Sequence, residues 1–385
     1  MYRFAMSRLR VQQARVLCVV GLAIVVLPAP VKACPFCTAP KPTLSERREA
    51  ADVVVLAQRV AKDDRAATLQ IYQVLKGEPK LAGRTSLELP VSALLPGDGL
   101  LLAFGNPDPQ RPQPLAWECL AVDETSYAYF LHAPPLRLPS AERLAYFLRY
   151  LESPDRTIAD DVYAEFGRAS FDAVRSIADR LPMAKLRGWM TDPQVPDQRQ
   201  GLYGLMLGLA TSAEDRSANE RVLRRLIESP ASDFRAGFDG VLGGYLLLAG
   251  DSGLDLIQTR LLANPQAARG DVLHAMTALR FYHEYGRKIS GERLARAMSR
   301  LIARPEFAAP AIVDLARWQA WNYAVPIAAL WQSADLDRPT QRAVIGYLLL
   351  CPGPEAARSL AAIRSTAAEL VKQVEAGLSA PRGGR

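Results

Sequence analysis

The stretch Cys34-Pro35-Phe36-Cys37 separates two unlike parts of the sequence, and the division of the chain follows from it. Before it runs a leader that is first charged and then apolar. After it, the valine-rich run from Ala51 to Ala61 predicts the first β-strand. If export removes the leader, Cys34 becomes the first residue of the mature chain. Two cysteines then stand at a free N-terminus, just before a β domain.

Residues 1–33 have the features of a secretory signal peptide. Four arginines precede an apolar segment from Val16 to Leu27, and a cleavage site is expected between Ala33 and Cys34. Twelve apolar residues are fewer than the roughly 20 that a membrane-spanning helix needs. We therefore expect a secreted or periplasmic bacterial protein with no membrane span in its mature form. An uncleaved leader and a lipid anchor on Cys34 stay open as alternatives, although Lys32 departs from the lipoprotein pattern.

The basic character of the chain belongs mainly to this leader. The 385 residues include 47 basic and 40 acidic ones, a net charge of +7. The leader holds five of the basic residues and no acidic residue, so 42 basic residues stand against 40 acidic ones in the rest, a net charge of +2. These basic residues are scattered and are not interleaved with aromatic ones. We therefore expect no nucleic-acid partner.

Short strand patterns fill residues 34–133. Apolar and polar side chains alternate from Ala66 to Leu75, and Gly/Pro turns follow at residues 76–79 and 96–99. A short helix is expected from Ser45 to Ala50. Five or six short strands with no long helix between them predict a small OB-like barrel or a sandwich. The predicted strands span residues 53–60, 66–75, 85–89, 100–104, 115–122 and 127–131.

The pattern then becomes helical. Residues 134–139 are proline-rich and form the expected linker, Ser140 is the expected N-cap of the first helix, and the helical region runs to residue 378. Residues 379–385 form a polar tail. The fold class predicted from the whole chain is therefore α+β, with an N-terminal barrel and a C-terminal all-α domain.

Similar segments recur within the helical region. Arg199 to Gly208, Arg235 to Gly244 and Gln341 to Leu350 each combine an arginine with a small or apolar helix. Prolines separate such segments at intervals of 34 to 40 residues between Pro193 and Pro339. A helix pair repeated at this period predicts a HEAT-like α-solenoid, in which stacking buries the face that one pair alone would expose. The glycines from Gly240 to Gly244 predict close helix packing rather than a phosphate site.

The N-terminal part resembles the OB-fold domain of the netrin and tissue-inhibitor-of-metalloproteinases type. The resemblance covers about 100 residues and is carried by short motifs: Cys34, Ala51 to Val55, Tyr72 to Gly77, Pro96 to Phe104 and Cys119. It implies that disulfides tie the N-terminal cysteines to the barrel, and that an inhibitor of this type chelates a protease zinc through its first residue. The Cys-x-x-Cys spacing departs from the family's Cys-x-Cys. The whole layout also resembles that of uncharacterised exported bacterial proteins that begin Cys-Pro-Phe-Cys and continue into helical repeats.

The cysteines allow more than one chemistry. In an oxidising compartment Cys34, Cys37 and Cys119 are candidates for disulfide bonds, and sequence alone does not choose the pairing. Cys34 and Cys37 could instead form a redox-active or metal-binding dithiol, although the strand that precedes such a motif in thioredoxin-like proteins is missing. Cys351 is expected to be a buried free thiol.

Motifs of catalysis are missing from the sequence. Its histidines, His132, His274 and His283, do not have the spacing of a zinc-enzyme motif, and neither a nucleophile elbow nor a phosphate-binding loop occurs. We therefore expect no metal site, no cofactor and no catalytic residues.

An aromatic cluster near the C-terminus is the candidate for partner binding. Trp318 and Trp321 are three residues apart, which predicts that they share a helix face. Core packing between repeats is one interpretation of the cluster. A recognition patch is the other, because tryptophan and arginine are enriched at binding hot spots. The candidate residues are Arg317, Trp318, Trp321, Tyr323 and Trp331.

Three functions are compatible with these patterns. The first is an exported, non-catalytic binding or scaffold protein that engages an unknown protein through its helical region. The second is a thiol-disulfide redox or metal-binding protein that uses Cys34 and Cys37. The third is a protease inhibitor that acts through the mature N-terminal Cys34.

Overall fold

The chain forms one β-sheet followed by a long helical region, so the α+β class is confirmed. The computed structural model describes Phe36 and residues 41–90, 99–108, 111–230, 234–333 and 335–379. The strands are β1 (Val53–Lys62), β2 (Ala66–Lys76), β3 (Ser86–Pro90), β4 (Leu100–Asp108) and β5 (Arg111–Val122).

The helices span most of the remaining described residues. The α-helices are α1 (Leu44–Ala50), α2 (Glu78–Leu81), α3 (Glu124–His132), α4 (Ser140–Phe147), α5 (Arg156–Arg168), α6 (Phe171–Arg175), α7 (Met183–Trp189), α8 (Gln200–Gly208), α9 (Ala213–Glu228), α10 (Phe238–Ala249), α11 (Asp251–Ile257), α12 (Arg269–Tyr285), α13 (Gly291–Ser299), α14 (Pro305–Arg317), α15 (Ala324–Ala329), α16 (Arg338–Leu350) and α17 (Pro354–Ser379). Short 3₁₀ turns lie at Leu148–Tyr150, Ala178–Arg180, Asp197–Arg199, Arg300–Ala303, Trp321–Tyr323 and Leu330–Gln332, and a π turn lies at Gln258–Leu262.

The sheet is antiparallel with the order β3-β2-β1-β4-β5, and β1 at its centre is buried on both faces. Val54 and Leu56 point to one face, where they join the core of the helical region. Val53 and Val55 point to the other face, where they pack in a separate core with residues of the other strands. Burial on both sides explains why β1 is a continuous apolar run rather than an alternating one.

The sheet curls into a half-barrel. Its edge strands β3 and β5 face each other across a cleft of about 750 Å³, lined by Leu87 and Leu89 on one side and Leu115 and Trp117 on the other. Hydrogen bonds do not join these two strands among the described residues, so the predicted small barrel is open along this seam.

The sixth predicted strand is wrong. Residues 127–131 belong to α3, because the preceding Asp123 starts a helix: its carboxylate accepts hydrogen bonds from the backbone and side chain of Ser126, and Ser126 Oγ accepts one from the Asp123 backbone N–H. The helix buries Tyr129 and Phe130, which are consecutive. The alternation of Tyr127, Tyr129 and Leu131 imitates a strand, and the capping pair decides against it.

Two further helix starts test the sequence analysis. The short helix expected at Ser45 begins one residue earlier, and Thr43 and Glu46 form a capping box around its first turn. Ser140 is the first helical residue of α4 rather than its cap, and Pro139 takes the N-cap position without a side-chain hydrogen bond.

Glycines bring α8 and α10 into backbone contact. A Cβ atom on Gly244 would lie 1.9 Å from the carbonyl oxygen of Gly204, and one on Gly240 would lie 2.0 Å from that of Gly201. Any side chain at these positions would force the helices apart, so the close approach requires glycine. The prediction that Gly240 to Gly244 serves close helix packing is therefore confirmed.

Arginines just before these two helices pair with carboxylates elsewhere in the helical region. Arg199 is buried and contacts Glu152 at 2.6 Å and Asp160 at 2.5 Å. Arg235, which stands 36 residues later, contacts Asp271 on α12 at 2.5 Å. These two arginines thus link segments of the helical region that are 36 to 47 residues apart in sequence.

Helix α17 is interrupted at Ala367, whose backbone φ of −141° is not helical. Among the described residues, we find no helix with both the length and the apolar composition to cross a membrane.

Substitution of Gly244 tests the close contact of α8 and α10. We expect Gly244→Ala to lower the free energy of unfolding by about 3 kcal/mol, because the added methyl group overpacks the helix interface. The matched control is Gly188→Ala in α7, where a Cβ atom meets nothing within 4 Å. It should raise stability by up to about 1 kcal/mol through helix propensity. Urea unfolding of both variants measures the difference, and an unchanged Gly244→Ala would contradict the contact.

Candidate functional site

The five residues of the predicted binding cluster lie at the end of α14 and in the turns that follow it. Arg317 is the last residue of α14, and the helix ends there because Gln319 has a left-handed φ of 55°. Trp318 and Trp321 therefore do not share a helix face, and that prediction is wrong. Trp318 stacks on His283 of α12, with ring centroids 4.6 Å apart, whereas Tyr323 and Trp331 lie in two separate 3₁₀ turns.

Two of the five residues, Arg317 and Trp321, meet in a groove between α14, α16 and α17, which we call the C-terminal groove. Its volume is about 960 Å³. Most of its lining is apolar. The lining residues are Ala309, Pro310, Val313, Ala316, Arg317, Gln319, Trp321, Pro339, Arg342, Ala343, Gly346, Tyr347, Leu350, Pro352, Val374 and Leu378.

Tyr347 connects α16 to the segment that follows α14 at one end of the groove. Its hydroxyl donates a hydrogen bond of 2.5 Å to the carbonyl oxygen of Ala320, and its ring meets that of Trp321 edge to face, with centroids 5.3 Å apart. Burial raises the pKa of Tyr347, so the hydroxyl stays protonated and remains a donor. The segment after α14 is thereby fixed to the C-terminal half of α16, and the two helices lie side by side along the groove.

Large apolar side chains are exposed in the groove. Val313 on α14 is 38% exposed, Leu350 on α16 is 51% exposed and Leu378 on α17 is 47% exposed. Gly346 lies between them, and a Cβ atom there would meet only a methyl group of Val374, at 3.8 Å. An apolar surface contributed by three helices, with open space above a glycine, is suited to receiving a side chain of another molecule.

The charged side chains that line the C-terminal groove are both arginines. Arg317 is largely exposed and lies 3.6 Å from the buried carboxylate of Asp314, which Arg280 already contacts at 2.7 Å. Arg342 is exposed and forms no ion pair with the part of the chain that the structure describes. The groove therefore carries a positive charge at its edge and an apolar surface inside.

Sequence reasoning found Arg317 and Trp321 but missed the residues from α16 and α17. What brings them beside Val313 is the packing of α14, α16 and α17, which the spacing of residues along the chain does not contain.

The predicted disulfide residues fall partly outside the described residues. Cys34 and Cys37 are not described, so their pairing stays a prediction. Cys119 on β5 is a buried free thiol, and burial raises its pKa to about 11. Cys351, expected to be buried, is free and only partly buried; burial raises its pKa as well.

Phe36 is the described residue of the Cys-Pro-Phe-Cys stretch, and its ring is buried among helices of the C-terminal region. The ring meets that of Phe281 at a centroid distance of 4.7 Å, and a Cβ atom on Gly243 would lie 2.8 Å from it. The carbonyl oxygen of Phe36 would lie 2.8 Å from a Cβ atom on Gly201. Glycines of α8 and α10 therefore shape the pocket that holds this residue.

The sequence predicts no metal site because its three histidines lack the spacing of a zinc motif. They lie apart: His132 ends α3, His274 and His283 lie on α12, and His283 is stacked under Trp318. Across the described ranges, histidines, cysteines and carboxylates do not gather into a group of three that could hold a metal ion.

A buried polar network connects α1 with α3 and α5. Asp161 accepts hydrogen bonds of 2.6 Å from the backbone N–H of Leu44 and from the hydroxyl of Tyr129. Nearby, Arg143 donates to Glu165 at 2.5 Å. Burial raises the pKa of Asp161 to about 6, although both hydrogen bonds lower it. These groups are enclosed, so the network positions α1 rather than presenting a site to solvent.

Comparison with known proteins identifies no family for this chain. The sequence matches no protein-family model, and neither a curated protein nor a solved structure matches it significantly. The two family resemblances inferred from the sequence stay predictions.

The Asp161 network predicts a pH dependence of stability. The folded-state pKa of about 6 lies above the value of about 3.9 for an unfolded aspartate. The neutral carboxyl is therefore favoured in the fold, and its contribution is present below about pH 4 and lost as the pH rises through about 6. We expect the native protein to lose about 2 kcal/mol between pH 4 and 7 relative to Asp161→Asn. Chemical unfolding across this range measures it, with the exposed Asp64→Asn as control, and equal slopes for all three proteins would contradict it.

Proposed function

We propose that this chain is an exported, non-catalytic protein that binds another protein through the C-terminal groove. The groove carries the proposal, because an apolar surface from three helices with arginine and tryptophan at its edge has the composition of a binding hot spot. The same groove does not bring together groups suited to acid–base or nucleophilic chemistry: its ionisable lining residues are Arg317, Arg342 and Tyr347.

The proposal includes a HEAT-like arrangement of the helical region. Gly201, Gly204 and Gly208 of α8 match Gly237, Gly240 and Gly244 at α10, each 36 residues later. Equivalent positions thus pack against one another, as they do when repeats stack. The Arg235–Asp271 pair spans 36 residues and the Arg280–Asp314 pair spans 34, which again fits one repeat.

It also includes an OB-like N-terminal domain. A curled five-stranded sheet that is open along one seam is compatible with this fold, which is a partly open barrel. The motif from Tyr72 to Gly77, which carries part of the resemblance, ends at a glycine that the backbone conformation requires. Gly77 has a φ of +79°, and a Cβ atom there would lie 2.1 Å from the carbonyl oxygen of Asp52.

Export is tested by the N-terminus of the mature protein. We expect N-terminal sequencing of the chain from the extracytoplasmic fraction to begin at Cys34. A blocked N-terminus would favour lipidation, and a start at Met1 would contradict cleavage. Counting free thiols on the same sample tests the redox alternative. If Cys34 and Cys37 are held in disulfides and do not react, the redox function fails. If both react readily as free thiols, the redox function is favoured over a structural disulfide.

Filling the groove tests the binding surface. Gly346→Trp should place an indole in the open space, and Gly188→Trp is the matched control at an exposed helix position with equal room. We expect the native chain and Gly188→Trp to capture the same protein after cross-linking in the extracytoplasmic fraction. Capture by Gly346→Trp should fall at least tenfold. Equal capture by a Gly346→Trp protein with a native melting temperature would contradict the proposal.

A further inference from the structure

We infer that the C-terminal groove binds an acidic amphipathic segment of its partner: a short run of apolar residues flanked by aspartate or glutamate. This inference rests on the proposed function, since it describes what the groove accepts. It follows from the charges of the groove, from an exposed arginine that pairs with no described carboxylate, and from the apolar side chains beside it.

The unpaired arginine is Arg342. In the similar segments of the helical region, Arg199 contacts Glu152 and Asp160, and Arg235 contacts Asp271. Arg342 stands in the third such segment, and no carboxylate among the described residues pairs with it. When the segments are aligned on Gly204, Gly240 and Gly346, the position of Arg199 and Arg235 belongs to Gln341, and Arg342 follows one residue later, exposed on α16. A carboxylate from a partner would give Arg342 the same kind of contact.

Arg317 adds a second positive charge. It shares the carboxylate of Asp314 with Arg280, and Arg280 makes the shorter contact, 2.7 Å against 3.6 Å. Two guanidinium groups with one carboxylate between them leave a net positive charge, and the exposed member is the one that lines the groove. A lysine or arginine of a partner would be repelled here, whereas an aspartate or glutamate would be attracted.

The apolar surface and the two charges line the same groove. Arg342 precedes Tyr347 by five residues, a rise of about 7.5 Å along α16. Tyr347 contacts Ala320, which follows Arg317 by three residues. Val313, Gly346, Leu350 and Leu378 supply part of the apolar lining of the groove. A helical segment with carboxylates one to two turns apart, beside a face of apolar residues, matches this combination.

The test is a selection of binding peptides. A displayed library of random 16-residue peptides is selected on the full mature chain and counter-selected on Gly346→Trp, so that only peptides that need the groove remain. We expect these peptides to carry net negative charge and apolar residues at helical spacing. A synthetic peptide from the selection is then labelled, and its affinity is measured by fluorescence anisotropy.

Arginine variants assign the charges. We expect Arg317→Gln and Arg342→Gln each to weaken peptide binding two- to fivefold and the double variant about tenfold. Arg358→Gln, an exposed arginine of α17 outside the groove lining, should bind like the native chain. Exchanging the peptide's acidic residues for amides should lower its affinity for the native chain by a similar factor. The same exchange should lower its affinity for the double variant little further. Raising the salt concentration should weaken binding to the native chain more than binding to the double variant.

The outcomes separate the two proposals. Groove-dependent peptides that are neutral or basic, or that bind the double variant as tightly as the native chain, would overturn the acidic partner and leave the groove as a binding surface. If every peptide that binds the native chain also binds Gly346→Trp, so that counter-selection leaves none, the groove is not a binding surface, and both proposals fail.

Discussion

The backbone contact between α8 and α10 is the constraint on which much of the structure depends. Glycine in a helix costs about 1 kcal/mol relative to alanine, and α8 and α10 carry several of them on facing positions. Close approach offsets this cost, because the helices bury nearly all of their side chains against neighbours. The same glycines shape the pocket of Phe36. The N-terminal segment of the described chain is thereby tied to the middle of the helical region, far from it in sequence.

The sheet is joined to the helices by a shared core. One face of β1 and β4 contributes Val54, Leu56, Leu102 and Phe104 to the cluster that runs through the helical region. The side chains on the other face pack against one another inside the curled sheet. The hydrogen bonds of Asp161 add a polar connection between α1 and α5. Burial disfavours the charged aspartate by more than these two hydrogen bonds favour it, so the contribution of Asp161 to the free energy of folding is most favourable at low pH.

The groove lies near the C-terminal end of the described helices. Helix α16 packs against both α14 and α17. The three helices leave the space above Gly346 open. Arg342 of α16 is exposed and pairs with no carboxylate among the described residues. Apolar exposure and positive charge thus occur together in this groove.

Local patterns predicted many of the elements. The sequence predicted five strands, the helix at residues 44–50 and the close packing at Gly240 to Gly244. Each of these depends on local features: the period of apolar residues, the capping residues or the position of glycines. The predicted strand at residues 127–131 was wrong because Tyr127, Tyr129 and Leu131 alternate with the period of a strand, whereas the cap at Asp123 starts a helix that buries Ser126, Tyr129 and Phe130. The shared helix face of Trp318 and Trp321 was wrong because the backbone reverses at Gln319.

The sequence by itself determined the α+β class, the valine-rich central strand, the recurring arginine–glycine segments and two residues of the groove. The tertiary structure alone decided which side chains meet: Phe36 with Gly243, Leu44 with Asp161, and Val313 with Leu350 and Leu378 around one groove. The physical reason is the range of the interactions. Hydrogen-bonded caps and periodic burial act over a few residues, whereas the groove and the Phe36 pocket depend on how helices far apart in sequence pack.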